Sequence, residues 1–203
     1  MLSVCRLIAI SACSVLLVGC MSPAPKLAIG EETYPVSVDQ ISVVNLTTPS
    51  DETEYMVYQS GFGALADSLT IPPFSEYVVQ SLQDRLQPAT TSLGRSIELL
   101  VVDAQLLQES RFADSVAFIG IFSALSPRKQ KCVIDINFRM FSINKREKFE
   151  SLITTPLSFG DLETAEKKQL VEQCVNNLIA ETASYINSNV VNDLGTGGST
   201  GDL

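Results

Sequence analysis

Thiol chemistry is the first chemistry that this chain's residues could do. Five cysteines are present, at positions 5, 13, 20, 132 and 174. Cys132 shares a period-two apolar face with Ile134, Ile136, Phe138 and Met140, opposite Asp135, Asn137 and Arg139, as in a strand with one buried face. Cys174 sits among Leu170, Val171, Val175, Leu178 and Ile179, spaced as the apolar stripe of a helix. Both side chains therefore point into the interface where that helix would dock on the sheet. That geometry suits a disulfide in an oxidising compartment; two separate buried thiols are the alternative.

Other chemistries find few residues to carry them. The chain has no His, which removes Ser-His-Asp and Cys-His arrangements, His-containing zinc sites and the commonest general base. Gly61-Phe62-Gly63-Ala64-Leu65-Ala66 matches the dinucleotide pattern G-x-G-x-x-A, with Asp84 about twenty residues on. Pro72-Pro73 interrupts before any helix opens, and Asp84 falls inside that helix, so a glycine turn is the better reading. Glu147, Glu150, Asp161, Glu163 and Glu166 read as solvated edges, with neither a calcium-loop nor a paired-acid spacing. No catalytic residue, metal ligand or cofactor is expected, and the chain reads as a non-enzyme.

The third cysteine that matters is Cys20. Arg6 precedes a short apolar run, residues 7–18, which ends in Leu17-Val18-Gly19-Cys20. A positive start, a short apolar core and a small residue before a cut site form a signal-peptide layout. The run is too short to span a bilayer, which takes ~20 apolar residues, and Pro23 and Pro25 oppose continuation of a helix. Leu17-Val18-Gly19-Cys20 resembles the lipobox of bacterial lipoproteins. The resemblance implies cleavage before Cys20 and acylation of Cys20 (palmitate is a typical chain), an anchor of two or more chains that holds stably. Met21, in place of an Asp, implies sorting to the outer membrane, with the body facing the periplasm.

The net charge of −9 disfavours nucleic acid and anionic lipid as partners. Contact with the membrane is expected through the lipid alone, together with an envelope protein partner. Residues 1–19 read as a signal peptide, 20–33 as the lipidated Cys and a tether, 34–190 as one domain, and 191–203 as a flexible tail rich in Gly, Ser and Thr.

Within the domain, residues 34–46 and 54–60 read as strands. Residues 73–86 read as a helix with Phe74, Val78, Leu82 and Leu86 on one face. Residues 96–107 read as a central strand, apolar on both sides. Residues 131–142 and 148–155 form an expected hairpin with its turn at 144–147. Residues 162–187 read as the longest helix, capped by Asp161 or Thr164. The order of elements predicts an α+β fold: a mixed, largely antiparallel sheet with two amphipathic helices packed on one face.

Residues 116–125 carry no charge and are followed by Arg128, Lys129 and Lys131. They form either a buried strand or hairpin, or a partly exposed segment in which Val116, Phe118, Ile119, Ile121, Phe122 and Leu125 contact a protein partner or acyl chains. The sequence leaves both readings open.

The lipobox, the helix Phe74-Ser75-Glu76-Tyr77-Val78-Val79-Gln80-Ser81-Leu82-Gln83-Asp84-Arg85-Leu86, the strand Ile97-Glu98-Leu99-Leu100-Val101-Val102 and the long final helix together resemble the small YajG-like lipoproteins of Gram-negative outer membranes. More loosely, they resemble auxiliary lipoproteins of lipid-transport ABC systems. The resemblance implies a structural or interaction module of the envelope; the alternative is an auxiliary lipid- or ligand-handling subunit. It transfers no functional residue.

Overall fold

The computed structural model describes residues 23–48, 61–89, 94–109, 127–140 and 143–190. The signal segment, Cys20, the expected strand at 54–60, the segment 116–125 and the tail at 191–203 lie outside them.

Seven strands and two α-helices are described: β1 (Tyr34–Val36), β2 (Gln40–Asn45), β3 (Phe62–Ala64), α1 (Phe74–Arg85), β4 (Leu86–Pro88), β5 (Ser96–Glu109), β6 (Arg128–Met140), β7 (Ile143–Thr155) and α2 (Thr164–Tyr185). The main sheet runs β2-β5-β6-β7, with β3 also on β5; β1 and β4 form a separate parallel pair. β5 is central, as its two-sided hydrophobicity suggested. It pairs antiparallel with β6, parallel with β2 and antiparallel with β3. The fold is α+β and the sheet is mixed.

Three of the differences from the sequence reading have a clear physical reason. Residues 34–46 are two strands, because the chain bends at Ser37–Asp39 and β1 leaves for β4 while β2 joins β5. Asn144 through Glu147 are strand residues, since β7 pairs with β6 without interruption from Met140↔Ile143 to Arg128↔Thr155. Asn144, Lys145, Arg146 and Glu147 look like a turn by composition, yet on an edge strand such charges oppose pairing with another chain. At the start of α2 the residue before the helix is Glu163, whose N–H donates to the Glu166 carboxylate at 2.9 Å. That belongs to a capping-box arrangement, and neither Asp161 nor Thr164 is the cap.

β5 changes phase midway. Ile97, Leu99 and Val101 are buried before the bulge between Val101 and Asp103, and Ala104 and Leu106 after it. One extra residue reverses the in/out alternation. It keeps one row of β5 opposite the buried row of β6: Leu99↔Phe138, Val101↔Ile136, Ala104↔Ile134 and Leu106↔Cys132.

One hydrophobic cluster joins these strand residues to both helices. α1 contributes Phe74, Tyr77, Val78 and Leu82, and α2 contributes Leu170, Val171, Cys174, Val175, Leu178 and Ile179. The first turn of α1 lacks a side-chain cap of its own because Pro73 precedes it. Asp67 supplies one from a 3-10 turn at Asp67–Leu69, accepting from the Ser75 N–H at 2.7 Å and the Ser75 hydroxyl at 2.6 Å. A carboxylate there also suits the positive end of the helix dipole. At the other end of the core, Phe138, Phe149 and Tyr185 pack ring to ring, with centroids 5.2–6.1 Å apart. They tie the last turn of α2 to the β6–β7 hairpin.

Candidate functional site

Of the residues singled out from sequence, Cys20 and residues 116–125 fall outside the described residues. Cys132 and Cys174 are bonded to one another, with Cα atoms 6.0 Å apart, and both are fully buried. The bridge crosses from β6 to α2, the interface that their two periodicities indicated. Beside it, Asn177 donates to the Ser151 hydroxyl at 3.0 Å, so α2 is held to β7 as well.

The tether expected at residues 20–33 is different in the part that is described. From Pro23 onward the chain is docked on the body. The Leu27 N–H donates to the Ile71 carbonyl at 2.8 Å, and the Ile71 N–H donates to the Pro25 carbonyl at 3.0 Å, a parallel bridge around Lys26. Pro25 is buried between these bonds. The Tyr77 hydroxyl donates to the Ala28 carbonyl at 3.1 Å, and Thr164 donates to the Pro23 carbonyl at 3.3 Å. Leu27 and Ile29 pack against the hydrophobic core. A segment with two prolines and no periodicity reads as a linker because its backbone donors have no local partner. Here its N–H groups reach the loop before α1 and Glu172 of α2, and its carbonyls accept from Tyr77 of α1 and Thr164 of α2.

Arg85 closes this arrangement. It lies on the last turn of α1, in phase with Phe74, Tyr77, Val78, Ser81 and Leu82, and only 1% of it is exposed. Its Nε donates to the Glu32 carbonyl at 2.8 Å and its Nη1 to the Asn176 side-chain oxygen at 2.5 Å. Its Nη2 makes no hydrogen bond but lies 3.7 Å from the Glu32 carboxylate. The guanidinium stacks over the Tyr34 ring, 5.3 Å from its centroid. A buried cation is costly without such partners. One side chain therefore holds three pieces of chain together: α1, α2 and the segment before β1. The sequence reading missed it. The signal was available: the apolar face of α1 continues, turn by turn, onto a position filled by Arg.

Next to Arg85 is a cleft of about 630 Å³ lined by Glu32, Tyr34, Gln169, Glu172, Gln173, Asn176, Asn177 and Ala180. Its walls are mostly amides and carboxylates, with the Tyr34 phenol, which suits hydrogen bonding and offers little to an acyl chain. Burial, followed by the neighbouring Glu32, raises the Tyr34 phenol above its ordinary pKa, so it remains a neutral donor at physiological pH.

The carboxylates read as solvated edges have structural partners. Glu150 meets Lys131 at 2.5 Å and Lys148 at 3.3 Å, and the Lys131 hydrogen bond, ahead of the other contacts, lowers its pKa. Glu147 accepts from Tyr185 at 3.0 Å. Asp161 accepts from Ser158. On the sheet face away from the core, Asp103 stands opposite Asp135 in register, and Arg146 grips Asp135 through two hydrogen bonds of 2.8 and 2.7 Å. Burial, with Asp135 adding to it, raises the pKa of Asp103.

Among the described residues no group of three His, Cys, Asp or Glu could hold a metal ion, and no helix is long and apolar enough to cross a membrane. Within the G-x-G-x-x-A stretch, read from sequence as a glycine turn, Phe62–Ala64 form β3, paired with β5, and Asp84 lies within α1. A phosphate-binding turn opening directly into a helix is therefore not built there.

No protein-family model matches the chain, and no curated protein matches it in sequence. Among solved structures, it is similar to a Xanthomonas campestris protein of the DUF330 family, at 12% identity and a TM-score of 0.40, over 87% of this chain and 98% of that one. It is also similar to the rare lipoprotein B from Shewanella oneidensis, at 11% identity and a TM-score of 0.34, over 77% of this chain and 96% of that one. At this level neither likeness bears on activity or on the role of any residue. Neither likeness shows a YajG-like family, and that resemblance rests on the order of elements in the sequence.

Proposed function

We propose that this chain is a lipoprotein of the Gram-negative outer membrane, acylated at Cys20 and facing the periplasm, whose body is a non-enzymatic interaction module of the envelope. The observation that carries the reading is the lipobox-like Leu17-Val18-Gly19-Cys20 followed, three residues later, by a segment bonded along both helices. A body of this kind is fastened to its own anchor. The disulfide supports an oxidising compartment. The partners found for the carboxylates support a structural role over acid–base chemistry.

Mass spectrometry of the native protein should find no peptide from residues 1–19 and an acylated Cys20, in outer-membrane fractions. An intact, unmodified Cys20 peptide from wild-type cells would overturn the anchor; co-fractionation with the inner membrane would overturn the sorting. The partner contact is assigned to residues 116–125. Replacing Phe118 and Phe122 with Ser should reduce crosslinked partner in intact envelopes while the far-ultraviolet circular dichroism stays unchanged. Loss of the fold would instead make the segment core.

A further inference from the structure

We infer that the pole of the body formed by Pro23 and the first turn of α2 rests on the bilayer headgroups, so that α2 leads away from the membrane. The inference rests on acylation of Cys20, and it adds an orientation that the anchor alone does not supply.

Chain length carries the argument. Two residues, Met21 and Ser22, separate Cys20 from Pro23. Three residue steps span at most about 11 Å when fully extended. Pro23 is not free to add to that reach, because its carbonyl is bonded to Thr164 at the start of α2. Two residues later the chain is locked again to Ile71. Had residues 20–33 been an undocked tether, thirteen steps would have allowed about 45 Å and no fixed orientation. Docking cuts the reach roughly fourfold and places it at one pole.

The surface there fits a headgroup layer. Ile71, 49% exposed, is one of three large hydrophobic side chains exposed among the described residues, and its bridge partner Lys26 is exposed beside it. An apolar side chain next to a lysine suits the polar–apolar boundary of a bilayer. The opposite end of α2 lies about 30 Å away, at 1.5 Å per residue over the helix.

The test uses the full acylated protein in vesicles of phosphatidylethanolamine and phosphatidylglycerol that carry a headgroup nitroxide. Ala165→Cys and Ser184→Cys place a fluorophore at exposed positions near the two ends of α2. The added thiol is the one that labels, since Cys20 is acylated and Cys132 is bonded to Cys174. Most of the fluorescence should be quenched at position 165 and little at position 184. Inserting roughly twelve Gly/Ser residues between Met21 and Ser22 should bring quenching at 165 down towards that at 184. Equal quenching at the two positions before the insertion, or no change at 165 after it, would overturn the inference. Mass spectrometry of the same sample separates the two claims: without an acyl chain on Cys20 the lipoprotein reading itself fails, whereas an acylated protein with equal quenching refutes the orientation alone.

Discussion

Arg85→Met should destabilise the body by about 2–4 kcal/mol, although it replaces a buried cation with an apolar side chain of similar length. Such replacements are often neutral when both charged partners of a buried pair are exchanged. Here the main partners stay behind: the Glu32 carbonyl, bonded at 2.8 Å, and the Asn176 side-chain oxygen, bonded at 2.5 Å. A hydrogen bond from a charged donor contributes ~1.5–3 kcal/mol, and the stack on Tyr34 adds ~0.5–2 kcal/mol depending on its desolvation. Against that loss, removing the cation relieves its burial cost, and the freed acceptors can hydrate through the adjoining cleft. Arg85→Ala should cost more, by the cavity it leaves. The assay is urea unfolding of a form lacking residues 1–19 with Cys20→Ser, followed by circular dichroism. A second readout separates pinning from general stability: amide exchange at Leu27, bonded to Ile71, should accelerate more in Arg85→Met than exchange in the β5–β6 ladder. A variant within ~0.5 kcal/mol of the parent, the scatter of ordinary surface changes, with Leu27 protection unchanged, would refute the pinning role.

Two further predictions concern the sheet. Removing the bridge with the paired substitutions Cys132→Ala and Cys174→Ala should cost about 4 kcal/mol by the chain-entropy model for a sequence separation of 42; urea midpoints that coincide with the parent's would show that the bridge contributes nothing. Asp103→Asn should stabilise the protein at pH 7. Burial raises the folded-state pKa of Asp103 above its ordinary 3.8, so the charged form costs stability at pH above the raised value, and the cost vanishes below the ordinary one. The advantage of the Asn variant should therefore shrink as the pH falls through that window, and an equal advantage at pH 7 and pH 3 would refute it.

The two helices and the buried face of β6 were legible because each carries its apolar residues at its own period, and the central strand because it is apolar on both faces. The disulfide was legible for the same reason, since two periodicities pointed two thiols at one interface. The bulge in β5 was not, because Leu99-Leu100-Val101-Val102 is apolar at both parities and cannot reveal a change of phase. Nor was the break between β1 and β2, where Val and Ile continue on both sides while the hydrogen-bond partners change.

By itself, the sequence determined the types of the longer elements, the acidic balance, the absence of histidine chemistry and the expectation of an acylated Cys20. These depend on residue type and on spacing along a few turns of chain. Only the tertiary structure decided that residues 23–33 are docked rather than free, that Arg85 is buried, and that β2 joins β5 in parallel. Each of these is set by partners far apart in the chain, 91 residues for Arg85 and Asn176 and 141 for Pro23 and Thr164. The physical reason is the same in every case: a periodic pattern states which face must leave water, but a backbone donor or a guanidinium is satisfied by whichever acceptor the fold brings to it.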